Sequence, residues 1–287
     1  MEGYLADHGD GDPRVSSRWL VSDVVGLSFM ELYTNLDRPL DPDELAKLRE
    51  YVKRRAAGDP LQYIIGKTGF RHIDVIVREG VLIPRPETEV LVSEVLNRLP
   101  RDKHASGDEA CEDPDLLVAD LCTGSGCIAC SLTYENPRIK VIATDIAPEC
   151  VRLARDNAAS LGLESHVDVI ECDLGEGIDP SLLGTFDAIV SNPPYVPTEV
   201  LSSIPEEVSA YEPTLALDGG ADGLDVFRRI AAWSKDALKP GGFLAVELHE
   251  TTLDEAVAIA RAEGFEDVRI VEDLSGKPRV LVAQGGM

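Results

Sequence analysis

From Leu116 onward the chain alternates short apolar runs with amphipathic stretches, and this alternation limits the fold more than any other feature of the sequence. Strands are expected at 116–121, 140–145, 167–172, 186–191, 242–248, 268–272 and 279–284, and helices at 126–135, 148–160, 223–238 and 251–263. Repeated strand–helix–strand units give parallel strands with helices on both faces of the sheet. The last two strands are joined only by Glu272-Asp273-Leu274-Ser275-Gly276-Lys277-Pro278, too short for a crossover helix, so they pair antiparallel. The expected fold class is α/β, a mostly parallel seven-stranded sheet with a terminal antiparallel hairpin.

Residues 1–65 follow a different rule. Apolar positions recur at helical spacing in Trp19-Leu20-Val21…Val24-Val25 and in Leu45…Leu48…Tyr51-Val52, and Asp41-Pro42-Asp43-Glu44 is a helix start with acidic residues in its first turn. A small N-terminal helical domain follows, too small to hold a cofactor fold. Residues 66–84, with β-branched alternation in Ile73-Asp74-Val75-Ile76-Val77, read as a β-hairpin linker, and 85–287 as the main domain. Residues 100–114 are polar and acidic and read as a mobile surface loop.

The 52 acidic and 27 basic side chains give a formal net charge of −25. Such a field repels a phosphate backbone and argues against stable nucleic-acid binding. The amino-terminal segment lacks the pattern of a signal peptide and no segment is a membrane span, so a cytoplasmic location is expected. Three of the six cysteines, Cys122, Cys127 and Cys130, have the C-x4-C-x2-C spacing that opens an iron–sulfur signature. They fall on a strand end, a glycine turn and a helix start, where buried reduced thiols are the better reading, and no metal is expected.

Asp120-Leu121-Cys122-Thr123-Gly124-Ser125-Gly126 is a strand running into a glycine turn that opens a helix. Glycines allow close backbone approach to a ligand, and the helix amino end offers free N–H groups. The lone G-x-G remains compatible with a dinucleotide site, with Ala129 at the third position. Asp145 at the next strand end is placed to accept from ribose hydroxyls, Asp173 at the third from an adenine amino group, and Asp120 could hold a methionine amino group. Three carboxylates around the turn suit S-adenosylmethionine, which carries an ammonium and a sulfonium and no phosphate; they suit a pyrophosphate poorly.

The apolar run Phe186–Val190 leads to Ser191-Asn192-Pro193-Pro194-Tyr195 at a strand's carboxyl end, where open α/β sheets bind ligands. Prolines remove backbone donors. The Asn192 side-chain oxygen and the Pro193 carbonyl then form two acceptors suited to a planar NH2 group, with the Tyr195 ring to stack on it. Leu82-Ile83-Pro84-Arg85-Pro86-Glu87-Thr88-Glu89 makes a stiff charged corner, of which helix capping explains Pro86 and Glu89 but not Arg85.

These motifs, with Gly69-Phe70, Tyr211-Glu212-Pro213 leading into Ala216-Leu217, and Asp273–Arg279, closely resemble the HemK/PrmC family of protein-(glutamine-N5) methyltransferases that act on peptide chain release factors. The resemblance runs from about residue 10 to the end of the chain. It implies the Rossmann-like class I S-adenosylmethionine-dependent methyltransferase fold, S-adenosyl-L-methionine as cofactor, and methylation of the glutamine of a Gly-Gly-Gln tripeptide. It implies that Cys122 to Gly126, Asp145, Asp173, Leu174 and Asn192 line the cofactor site, that Asn192 to Tyr195 hold the glutamine and carry the chemistry, and that Phe70 and Arg85 contact substrate. The implied partner is a release factor, with the enzyme a monomer. Three departures stand out. Cys122 replaces a glycine, with little expected effect on the turn; Leu174-Gly175 replaces a pair that usually carries an aromatic; and the family usually has another helix or so before Tyr4-Leu5. The alternatives are an adenine-N6 methyltransferase of nucleic acid, which also binds an NH2 group, and a non-catalytic S-adenosylmethionine-binding protein.

Overall fold

The computed structural model describes residues 1–100, 115–203 and 213–286. The acidic stretch expected to be a loop thus lies, apart from Pro100, outside the described residues, as do Cys111, Tyr211 and Glu212.

Five helices open the chain: α1 (Glu2–Asp7), α2 (Pro13–Val25), α3 (Phe29–Thr34), α4 (Pro42–Ala56) and α5 (Leu61–Ile65). Side-chain caps start the middle three. Asp12 accepts from the Val15 N–H, and Ser28/Glu31 and Asp41/Glu44 form complete capping boxes. Few side chains here are fully buried, Leu5 and Leu20 among them, and the bundle is also fastened by polar links. Arg55 pairs with the buried Asp10 at 3.0 Å, while Asp23 takes hydrogen bonds from Lys47 and Tyr51.

β1 (Lys67–Phe70) and β2 (Ile73–Ile76) pair antiparallel. Their inner side chains, Phe70, Ile73 and Val75, join the core under the main sheet. Asn157 fixes the hairpin to that domain, accepting from the Ile76 N–H and donating to the Ile76 carbonyl at 2.7 and 3.0 Å.

After α6 (Thr88–Arg98) comes the sheet: β3 (Leu116–Leu121), β4 (Ile139–Asp145), β5 (Val167–Glu171), β6 (Phe186–Ser191), β7 (Leu238–Glu247), β8 (Glu266–Glu272) and β9 (Pro278–Gln284). Its order is β5-β4-β3-β6-β7-β9-β8, with β9 antiparallel to both β7 and β8 and the remaining pairs parallel. Helices α7 (Cys127–Glu135), α8 (Pro148–Ser160), α9 (Asp225–Ala237) and α10 (Leu253–Ala262) cover it. Alternation along each strand divides the core in two. Val118, Val141, Ala143 and Val190 pack with α6, α7 and α8, whereas Ala119, Leu121, Ile142 and Ile189 pack with α9 and α10.

The sheet expected from the sequence is present, with shifts at its ends. β7 starts at Leu238 rather than 242, because Leu238 already pairs with Phe186 and Lys239-Pro240-Gly241-Gly242 bulges out before pairing resumes between Ala188 and Phe243. β8 starts at Glu266, again across an irregularity. The chain turns from β3 to β4 and β5 on one side and to β6 and β7 on the other, which opens a crevice above the β3 and β6 carboxyl ends.

Candidate active site

The glycine turn after β3 is held in the left-handed region at three positions, Cys122 (φ 59°), Gly124 (φ 57°) and Gly126 (φ 78°). The turn keeps at Cys122 the shape a glycine adopts freely, and the Cβ there costs on the order of 1–2 kcal/mol. The substitution by cysteine is therefore not free of consequence. Gly126 also has Ala154 of α8 3.0 Å from where a Cβ would stand, so turn and helix pack backbone to side chain.

A cavity of about 410 Å³ opens beside this turn. Its wall includes Cys122, Gly124, Asp145, Asp173, Leu174 and Asn192, drawn from the ends of β3, β4, β5 and β6. Asp145 is held by two backbone donors, Gly124 N–H to Oδ2 and Ala147 N–H to Oδ1, each 2.9 Å. Burial raises its carboxyl above the ordinary value, and those two bonds pull it back. Asp173 accepts from Arg229 of α9 at 2.8 Å, so one of its oxygens is already engaged.

Thr123, Ser125 and Gly126 shape the turn without lining the cavity. Asp120 lies beneath it, fully buried, accepting from the Thr123 hydroxyl at 2.6 Å and the Ala129 N–H at 3.2 Å. Its Oδ1 has no hydrogen-bond partner among the described residues, and burial pushes the carboxyl up to about 7. An orphaned carboxylate oxygen under a cavity lined by further carboxylates fits a cationic ligand. The residues present therefore suit S-adenosylmethionine. Sequence reasoning missed Ile146, half exposed in the cavity wall just after Asp145, and Arg229. An apolar residue following the strand-end acid was the available signal for the first; nothing local marked the second.

Asn192 borders a second, smaller cavity of about 110 Å³, whose lining includes Leu82, Arg85, Pro193, Tyr195 and Ala216. Asn192 thus stands in the wall of both spaces. Its Nδ2 donates to Thr88 Oγ1 at 3.2 Å, which leaves Oδ1 as the free acceptor. Burial pushes the Tyr195 hydroxyl up to about 12, so the ring is a neutral apolar plate. The loop beyond it is pinned: Val196 N–H donates to the Leu217 carbonyl and Gly219 N–H to the Val196 carbonyl, both 2.8 Å. Gly223 presses so close that a Cβ would come within 2.4 Å of the Tyr195 carbonyl oxygen.

Two expectations need correction. Phe70 is 1% exposed and lines neither cavity, because β1 turns it into the core under the sheet. Glu89 does not cap its helix; it accepts from the Arg71 N–H at 3.0 Å and ties the hairpin down. The cysteine triplet has no thiolate character, since burial raises all three and holds Cys127 and Cys130 at about 12. Among the described residues no group of three or more His, Cys, Asp or Glu is placed to hold a metal. Gly175 leaves room for Trp233, whose indole would lie 2.0 Å from an added Cβ.

The sheet order, the antiparallel end and the crevice at the strand ends define a class I methyltransferase fold. Solved structures agree: a methyltransferase from Pyrococcus furiosus superposes with TM-score 0.54 at 19% identity, covering 86% of this chain and 100% of that one, and the hMettl16 catalytic domain with TM-score 0.56 at 15%, covering 86% and 83%. Residues 1–66 match the PrmC N-terminal domain and 110–205 the methyltransferase small domain. The release factor glutamine methyltransferase of Geobacter sulfurreducens is 41% identical over 97% of this chain and 92% of its own length; that of Caulobacter vibrioides is 38% identical over 97% and 91%. The chain belongs to the release factor glutamine methyltransferase family.

Proposed function

We propose that the enzyme transfers a methyl group from S-adenosyl-L-methionine to the side-chain amide nitrogen (N5) of the glutamine in a Gly-Gly-Gln motif of peptide chain release factors. The observation that carries the reading is the place of Asn192, in the wall between a large carboxylate-lined cavity and a small one sized for an amide side chain. S-adenosylmethionine in the larger cavity supplies the methyl group. Asp145 would accept from its ribose hydroxyls, Asp173 from its adenine amino group, with Leu174 and Ile146 beside the base, and Asp120 would answer the charge of its amino group.

The glutamine amide is a weak nucleophile because its lone pair is delocalised into the carbonyl. Asn192 Oδ1 and the Pro193 carbonyl accept its two hydrogens, orient the nitrogen toward the donor, and stabilise the positive charge that grows on it. Alignment of this kind contributes about 7–11 kcal/mol where it is near ideal. Tyr195 gives the amide an apolar wall, and Pro194 lines the donor cavity beside it. No strong base is required, since the methylated nitrogen is acidic and loses its proton afterwards.

Residues 1–65 act as the substrate-recognition domain, 66–84 as the linker and 85–287 as the catalytic domain. Two features support this division of labour. A groove of about 630 Å³ on the helical domain is lined by Val21, Phe29, Tyr33 and Leu36, apolar side chains that the small core does not use. A second cavity, of about 380 Å³, runs from Asp10 and Arg55 to Ile83 and Arg85, and Arg85 also borders the amide pocket. The enzyme works in the cytoplasm, where release factors act; among the described residues no helix is long and apolar enough to cross a membrane. A net charge of −25 weighs against an adenine in nucleic acid as substrate.

The test is incubation with labelled S-adenosylmethionine and purified release factor, with mass spectrometry to locate the label. Intact release factor should be methylated much faster than a short Gly-Gly-Gln peptide, which lacks the remote contacts, and adenine-containing DNA should stay unlabelled at low salt. Methylated adenine overturns the substrate; equal rates for peptide and protein remove the role of the helical domain.

A further inference from the structure

Glu247 ends β7 after four apolar residues, Phe243, Leu244, Ala245 and Val246, and is 2% exposed. Its Oε2 has no hydrogen-bond partner among the described residues. Such a group opposes folding, and an apolar side chain at this strand end would not. The methyl-transfer chemistry above does not use it.

The carboxyl lies beside one group that leads back to the site, the Thr88 hydroxyl, which works against the rise that burial causes. Thr88 is the first residue of α6 and is also 2% exposed. Its Oγ1 already accepts from Asn192 Nδ2 at 3.2 Å. A hydroxyl has a single hydrogen to give. With Asn192 donating in, Glu247 is the buried acceptor placed to take that hydrogen, and a bond formed there would polarise the first in one direction, from amide through hydroxyl to carboxyl. Burial pushes the carboxyl up to about 7; Glu87 reinforces this, while the Thr88 hydroxyl and the charges of Arg279 and Arg85 oppose it.

The orientation of Asn192 matters for the reaction. With its NH2 turned inward, Oδ1 faces the amide pocket as an acceptor. Flipped about its last torsion, the same side chain would present donors to a substrate group that itself has only donors to offer. We propose that Thr88 and Glu247 are positioning residues for the transfer: together they hold the Asn192 amide in the one orientation that accepts the substrate NH2. This rests on the role given to Asn192 above.

The test compares Thr88→Val, Thr88→Ser, Glu247→Gln and Asn192→Ala in the release-factor assay. Thr88→Val keeps the shape and loses the hydroxyl; kcat should fall about tenfold or more, with KM for release factor and Kd for S-adenosylhomocysteine within about twofold. Thr88→Ser should restore turnover to within a few-fold, since the hydroxyl returns without the methyl group. Because Glu247 acts through Thr88, Thr88→Val combined with Glu247→Gln should be no slower than Thr88→Val alone. Undiminished kcat in Thr88→Val, equal losses in the Val and Ser variants, or multiplying losses in the double variant each overturn the proposal. If Thr88→Val does not fold, Glu247→Gln decides: it should lower kcat several-fold at unchanged KM, and full turnover refutes the relay. An active Asn192→Ala sinks the reading of Asn192 itself; an inactive Asn192→Ala beside an active Thr88→Val sinks only the relay.

Discussion

The cavity proposed for the methyl donor and the pocket proposed for the amide meet at Asn192, yet their polar groups are supplied by different means. The acids of the donor cavity are local, although Leu82, Asn192 and Ala216 help to close both spaces. These acids stand at the ends of β3, β4 and β5, and backbone N–H groups of the neighbouring turns fix Asp145. The amide pocket is assembled from stretches far apart in the chain: Leu82 and Arg85 before α6, the Asn192–Tyr195 loop, and Ala216 and Leu217. Its central hydrogen bond joins residues 104 positions apart. Acids placed at strand ends need only the sheet; walls drawn from loops need the whole domain to close correctly.

That contrast is open to test. The largest effect should come from Asn192→Ala, which deletes one acceptor from the amide pocket and leaves the donor cavity formed. Turnover should fall by about 10²-fold or more, with S-adenosylhomocysteine binding nearly unchanged by calorimetry. Near-normal turnover would place the amide elsewhere.

Asp145→Ala should reverse the pattern. Each charged hydrogen bond lost to a ribose hydroxyl is worth roughly 1.5–3 kcal/mol, so the dissociation constant for S-adenosylhomocysteine should rise about tenfold or more. KM for release factor should move little. An unchanged dissociation constant would put the ribose away from β4.

The smallest effect is a pH dependence confined to the donor cavity. Asp120 holds its proton to about pH 7 in the free protein, against an ordinary value of 3.8. A ligand ammonium beside it favours the ionised form, so binding releases a proton below about pH 7 and none above. Affinity for S-adenosylhomocysteine should then increase a few-fold from about pH 5.5 to pH 7 and level off above it, because in that interval the free protein carries the proton and the liganded protein has lost it. Asp120→Asn should abolish the slope; a slope that survives in that variant assigns the proton to another group.

The same contrast explains what was legible in the sequence. Periodicity and the missing crossover helix gave the sheet, its order of helices and its antiparallel end, since each depends on runs of neighbouring residues. Cys122, Gly124, Asp145, Asp173 and Asn192 were readable as strand-end residues and line the cavities. Phe70 misled because an aromatic beside a glycine turn looks the same from sequence whether a hairpin presents it outward or folds it into a core. Thr88 and Glu247 went unremarked for a different reason. Thr88 sits among louder charges in Arg85-Pro86-Glu87-Thr88-Glu89, and its importance appears only once β7 and the β6 loop are brought against it. A lone acid at the end of an apolar strand is a sign that could have been weighed.

Helix α9 begins two residues after Gly223, whose bare Cα lies against the Tyr195 carbonyl, and its next turn carries Val226 and Arg229 into the donor cavity. One short segment therefore mounts the acceptor loop and part of the donor wall together. A substitution that widened the amide pocket by moving this segment would disturb the neighbouring cavity as well, whereas the groove lined by Val21, Phe29, Tyr33 and Leu36 can change without touching either. Divergence toward new protein substrates is thus channelled into the outer surfaces, and the chemistry at the centre is carried along unaltered.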